Sequence, residues 1–250
     1  MKFAVAFSLL AACLICVALM QGGAYYFALW PAISFIIVAA AYAKAAPGVF
    51  AKRLNGTLAW WSRILLLPYL LLTWGLWHVL RLVHREDCCN EVVPGLWLGR
   101  RALAHEVPES VDLIVDLTAE FVEPKDVIKH RNYICLPVLD GSVPDSTRFQ
   151  ALVEKTAAWP GKVYIQCASG HGRSATLMAA LLIRKGFAKN VEEAIRQIRK
   201  ARPGIAIAKH QKRFLEIWSQ QTVTPQPVAN ERVSQALIDS GFINGSNNRP

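Results

Sequence analysis

Lys162-Val163-Tyr164-Ile165-Gln166-Cys167-Ala168-Ser169-Gly170-His171-Gly172-Arg173-Ser174 is the stretch on which the reading of this chain turns. Its first residues form a short apolar run of the kind that makes a buried strand. The run from Ser174 to Ile183 is apolar and ends in Arg184-Lys185-Gly186, the pattern of a helix closed by glycine. Between strand and helix lie two glycines, and five residues separate Cys167 from Arg173. A strand, a glycine-bearing turn and a helix N-terminus make a cradle for an anion, because loop amides converge there and the helix dipole adds positive charge. Arg173 supplies a planar fork for two phosphate oxygens. Helix terminus and arginine together favour the thiolate of Cys167, and a thiolate facing a bound tetrahedral dianion can begin covalent phosphoryl transfer. An arginine at a helix start opposes the dipole and needs a reason; an anionic ligand is one. A nucleotide-binding Gly-rich loop is excluded, since no Gly-Lys-Ser/Thr follows.

The run resembles the signature loop of the cysteine-based protein tyrosine and dual-specificity phosphatases, in a bacterial-type, membrane-anchored form. The resemblance extends from about Asn90 to about Trp218 and takes in Val93-Pro94-Gly95-Leu96-Trp97-Leu98-Gly99, Val111 to Leu117, and Ala201-Arg202-Pro203-Gly204. It implies an α/β fold, a sheet of four or five strands flanked by helices, with neither metal nor organic cofactor. It also implies roles. Cys167 is the nucleophile, and Ala168, Ser169, Gly170, His171, Gly172 and Arg173 bind phosphate. Ser174 eases departure of the thiolate, although a first-turn helix residue needs no such role. His171 either adds charge toward phosphate or is a solvent-facing spacer. Gln166 departs from the family, which usually carries histidine there.

Such a reaction needs a general acid, and two aspartates follow Leu136-Pro137-Val138-Leu139. Asp145 precedes a helical pattern from Ser146 to Val153, where an N-cap role suits it. Asp140, beside Gly141, matches the family's acid position and is preferred, though a turn-forming aspartate before glycine is also common. Cys135, in Tyr133-Ile134-Cys135-Leu136, fits a buried small hydrophobe.

The first part of the chain differs in kind. Seven of the 28 basic residues and none of the 18 acidic ones precede Glu86, so the formal charge of +10 divides into +7 and +3. The high pI is therefore no sign of nucleic-acid binding, and no aromatic-interleaved basic stripe is present. Apolar stretches run over about 3–20, 24–43 and 60–80, against the roughly 20 residues a spanning helix needs. The first two qualify; the third is marginal and has tryptophans at both ends, like an interfacial belt. The first also has the outline of a signal peptide, and Leu10-Ala11-Ala12-Cys13 matches a lipoprotein box, but its hydrophobicity continues past Cys13.

Residues 1–85 are thus read as an all-α transmembrane region of two or three helices. Residues 90–219 form the phosphatase-like domain, and 220–250 a polar tail with a short helix over 231–238. Basic residues from Lys44 to Arg63 place that loop in the cytoplasm. Three spans would put the second half outside; two spans with an interfacial third would put it inside, and the sequence leaves the side open. Six cysteines show no disulfide framework or metal spacing, and Cys88-Cys89 carry no assigned role. The expectation is an integral, multi-pass protein of the cell (inner) membrane. Its partners are the lipid bilayer and a phosphorylated membrane protein or phospholipid head group, such as phosphatidylglycerophosphate. It would hydrolyse phosphate monoesters through a phosphocysteine. The alternative is a catalytically weak phosphate-binding or scaffold module of the same fold.

Overall fold

The computed structural model describes residues 2–83 and 86–223; the tail helix expected over 231–238 lies outside them. Two apolar helices, α1 (Lys2–Gln21) and α2 (Leu29–Ala43), form a hairpin. The turn between them uses Gly22 and Gly23, both at positive φ (63° and 55°), where side chains are disfavoured. Ala11 and Ala18 of α1 and Ala32 and Ala39 of α2 are buried, and small residues of this kind let helix backbones approach closely. The outer faces stay apolar and exposed, with Val5, Leu9, Leu19 and Ile33 open to the surroundings. Helix α1, and α2 together with the 3-10 segment before it (Gly23–Ala43, 21 residues), are long and apolar enough to cross a membrane.

The third apolar run is not one helix. It divides into α3 (Trp60–Leu65) and α4 (Leu67–Val83). Pro68 has no N–H to donate and its ring clashes with the carbonyl four residues back, so the helix breaks at Leu66. At 17 residues α4 is shorter than α1 (20 residues) and than the helical run Gly23–Ala43 (21 residues).

Next come β1 (Cys89–Val93), β2 (Leu96–Arg100), β3 (Leu113–Thr118), α5 (Lys125–Ile128), β4 (Asn132–Val138) and α6 (Ser146–Ala157). The chain closes with β5 (Val163–Cys167), α7 (Arg173–Arg184), α8 (Val191–Ala201) and α9 (Lys209–Val223). The five strands lie in the order β1-β2-β5-β3-β4. Only the β1–β2 pair is antiparallel, an edge hairpin turned at Gly95; β2, β5, β3 and β4 run parallel. Every residue of β3 and β5 is buried, as expected of parallel strands covered on both faces. One face carries α7, whose residues from Arg173 to Leu182 are all buried, packed among α6, α8 and α9. Gly186 (φ 78°) ends α7, with the Phe187 N–H donating to the Leu182 carbonyl in a Schellman-type cap. Asn190 caps α8 through the Glu193 N–H, as its position predicts. The closing helix begins at Lys209 rather than at the expected Ile205.

The helical region and the sheet share a core. Phe35, Val38, Phe50, Leu66 and Leu70 pack with Ala119 and Leu139 from the ends of β3 and β4. Phe3, near the start of α1, lies against Gly141: a Cβ there would come within 3.2 Å of its ring. Lys52 enters the end of the sheet, where its Nζ donates to Asp116 Oδ2 (2.6 Å), the Thr118 carbonyl (2.8 Å) and Thr118 Oγ1 (2.8 Å). Both side chains of this ion pair are fully buried. Tyr133 and the Thr118 N–H complete the shell around the carboxylate. Burial opposes both charges, yet each partner outweighs it. Lys52 is held above, and Asp116 below, its ordinary pKa.

Candidate active site

The carboxyl ends of the parallel strands converge where β5 passes into α7, the crevice in which open α/β sheets bind ligands. Cys167 is the last residue of β5 and almost wholly buried. Its Sγ lies 3.3 Å from the Gly170 N–H and 3.2 Å from Ser174 Oγ. Gly170 has φ 77°, and a Cβ on it would strike the Gly99–Arg100 peptide at 2.4–2.5 Å, so only glycine fits.

Four loop carbonyls are anchored, by α4 and the segment after β2, by the α8–α9 connection and by the first turn of α7. Ala168 O accepts from Trp77 Nε1 of α4 (2.9 Å) and from the Arg101 N–H (3.3 Å). Ser169 O accepts from Arg202, His171 O from the Ala206 N–H, and Gly172 O from Thr176. In a planar peptide the N–H points opposite to the carbonyl. Carbonyls tied outward therefore aim the following amides, those of Ser169, Gly170, Gly172 and Arg173, into the loop, and the Gly170 contact with sulfur fits this. The result is a nest of N–H groups at the start of α7.

Arg173 is buried. It makes a bidentate pair with Glu120 (2.9 and 3.1 Å), donates to the Val138 carbonyl (2.8 Å), and lies 3.3 Å from Asp140 Oδ1. Burial works against its charge, but Glu120 and Asp140 more than offset this and hold it well above its ordinary pKa. Its Nε is buried without a hydrogen-bond partner among the described residues. Asp140, half exposed, sits beside this guanidinium on a loop held by α9 through His210 to Gly141 O and Gln211 to Ser142 O. Asp145 instead caps α6, accepting from the Arg148 N–H at 2.9 Å. Cys167, Ser174, Arg173 and Asp140 are thus brought together, and Asp145 serves the helix.

His171 neither faces solvent freely nor points at the nest. Its ring lies 2.6 Å from Glu86, which also pairs with Arg202. Gln166, where the resemblance leads one to expect histidine, donates to Glu123 (3.0 Å) and accepts from the Ala102 N–H (3.2 Å), tying β5, the strand of Cys167, to the loops after β2 and β3. Burial, then the charge of Asp116, push Glu123 up to about 8, against the pull of Arg101 and Lys52. Cys135 is buried, and burial pushes its thiol up to about 12, consistent with an inert core residue.

Sequence reading missed Glu120, Trp77 and Arg202. The one signal for Glu120 was an acid set directly after a strand in an otherwise apolar run, Leu117-Thr118-Ala119-Glu120-Phe121, where a buried carboxylate requires a cation.

Comparison with curated proteins gives no match. Among solved structures, similarity is found to Tk-PTP in its active form, at 22% identity and a TM-score of 0.49, over 54% of this chain and 97% of that one. PTPMT1 in complex with PI(5)P is similar at 25% identity and a TM-score of 0.49, over 55% and 97%. The human tyrosine phosphatase-like serine/threonine/tyrosine-interacting protein follows at 20% and 0.49, over 56% and 100%. Residues 97–221 match the family model of the dual specificity phosphatase catalytic domain. Half of the chain, including β5, the loop and α7, is covered by that model, and the chain belongs to the dual specificity phosphatase family.

Proposed function

We propose that the chain is a membrane-anchored hydrolase of phosphate monoesters that works through a phosphocysteine. The observation that carries this reading is the convergence of Cys167, Ser174, Arg173 and Asp140 on one nest of amides. The thiolate of Cys167 attacks phosphorus while Arg173 and the loop amides take the equatorial oxygens; Arg173 Nε is a donor left for them. As the P–O bond breaks, Asp140 passes its proton to the leaving oxygen. Water then attacks the phosphocysteine, Asp140 accepts a proton from it, and the S–P bond breaks. Ser174 Oγ, 3.2 Å from sulfur, hydrogen-bonds the departing thiolate.

Membrane anchoring is supported by the exposed apolar faces of α1 and α2. The start of α1, the end of α2 and the catalytic loops all lie at one end of the hairpin, and the middle of α4 is bonded to the site through Trp74 to Glu120 O and Trp77 to Ala168 O. A helix so engaged cannot also cross a bilayer. This favours two spans, with the phosphatase domain on the same side as Lys44, Lys52, Arg53 and Arg63, the cytoplasmic side. There it meets phosphoryl groups borne by the membrane, on proteins or lipids, at high effective concentration.

The test is Cys167→Ser in the full chain. Turnover of an aryl phosphate should vanish, vanadate binding should persist, and rapid quench of the wild type should trap phosphate on Cys167. Near wild-type turnover by the variant would remove the covalent mechanism.

A further inference from the structure

A cavity of about 400 Å³ opens beside the catalytic loop. Polar groups line it, among them Asp140, Ser169, His171 and Arg81. Most of its lining is apolar and comes from the N-terminal helices. Phe3 and Phe7 come from α1, and Leu72, Leu76 and Leu80 form a stripe along α4. Spacing of four puts these leucines on one helix face. They are 51, 54 and 43% exposed although each borders the site. We propose that this cavity receives the hydrocarbon part of the substrate, which is a long-chain glycerophospholipid ending in a phosphate monoester. The proposal rests on the phosphatase reading above and narrows it.

Three observations favour this occupant. Phe3 and Phe7 of α1 and Tyr42 of α2 line the cavity together with the α4 leucines and Ala168 of the loop, so both helices suited to a bilayer contribute to the wall that borders the site. The indole of Trp77, on the same helix as the stripe, donates to Ala168 O, so wall and loop form one body. Between them stands Arg81, stacked at 5.7 Å over the Trp77 ring, with Nη1 buried and lacking a hydrogen-bond partner among the described residues. A cation there suits an anionic head group. A phosphopeptide fits less well, because its backbone N–H and C=O groups need partners that a leucine face does not offer.

The test uses the full chain in detergent micelles and four substrates: dioleoyl phosphatidate, dibutyryl phosphatidate, an aryl phosphate and a phosphotyrosine peptide. The variant Leu72→Gln/Leu76→Gln/Leu80→Gln makes the stripe polar at little cost in helix propensity. It should lower kcat/KM on the dioleoyl ester about thirtyfold, ~2 kcal/mol at tenfold per 1.36 kcal/mol. That is the scale of withdrawing two or three methylenes into water. Turnover of the dibutyryl and aryl esters should stay within about twofold. The control Leu71→Gln/Leu82→Gln alters exposed α4 leucines that do not line the cavity and should leave all four rates unchanged. Equal losses on every substrate, equal losses in the control, or a wild-type preference for the peptide would each overturn the proposal. Wild-type indifference to chain length, with the aryl ester turned over, would refute it alone; no aryl turnover would refute the phosphatase reading as well.

Discussion

Replacing Lys52 by methionine should unfold the protein far more readily than its place in a loop suggests. Its ammonium uses all three N–H groups, one on Asp116 and two on Thr118, and neither partner of the ion pair touches solvent. Methionine fills similar space but leaves the Asp116 carboxylate buried without its cation. Tyr133 and Thr118 still donate to it, yet its charge is uncompensated. Removing one partner of a buried pair typically costs about 3–5 kcal/mol. For a chain of this size that lowers Tm by roughly 6–20 °C, measurable by circular dichroism in detergent together with residual aryl phosphatase activity after heating. Adding Asp116→Asn removes the stranded charge and should recover a substantial part of the loss. In the single variant the penalty should shrink as pH falls, because Asp116 without Lys52 takes up a proton; in the wild type the pair is lost only below the ordinary aspartate range. A cost under about 1 kcal/mol, or a double variant no better than the single, would refute this account. The same physics bears on a fragment beginning at Asn90, where the family resemblance starts. It lacks Lys52 and uncovers Ala119 and Leu139, so it should be the less stable form and gain from Asp116→Asn.

Other outcomes test the site. Asp140→Asn should lower turnover of alkyl phosphates by about 10² to 10⁴ and of aryl phosphates with good leaving groups much less; the same pattern in Asp145→Asn instead would move the acid to Asp145. Glu123, pushed up to about 8 from the ordinary 4.5, holds its proton more tightly when folded, so it stabilises fully below about 4.5 and loses that contribution as pH rises through 8. Glu123→Gln should flatten this fall in a pH series of denaturant melts. Trp77→Phe deletes one hydrogen bond to Ala168 O, worth about 1 kcal/mol, and should weaken vanadate binding roughly fivefold.

The loop and its flanking elements were legible in the sequence because their signals are local. Glycines mark the turn, an apolar run marks β5, and a glycine stop marks α7, all within a span of about 25 residues. Asp145 and Asn190 declared themselves as caps for the same reason. What stayed hidden is long-range. Lys52 and Asp116 lie 64 residues apart, and Trp77 and Ala168 lie 91 apart. A lysine in a basic loop reads as a topology signal, and a tryptophan near the end of an apolar run reads as an interfacial anchor, until the fold supplies their partners. The sequence from Ile205 to Trp218 reads as one helix, but α9 starts at Lys209 because the backbone before it is spent on the loop, with the Ala206 N–H donating to His171 O. Pro68 is a local signal too, and it splits the third apolar run into α3 and α4.

The separation of Lys52 from Asp116 also sets an order of events during synthesis. At about 5–20 residues per second, roughly 3–13 s pass between the making of the lysine and of its carboxylate. Through that interval the lysine's own partner does not yet exist, and residues 1–85 offer no acidic side chain in its place. The hairpin is complete early, but the loop behind it cannot settle onto a surface that is still being translated. Docking is thereby timed by the sheet, and a chain interrupted before β3 is left with its lysine lacking Asp116 and its catalytic half unmade.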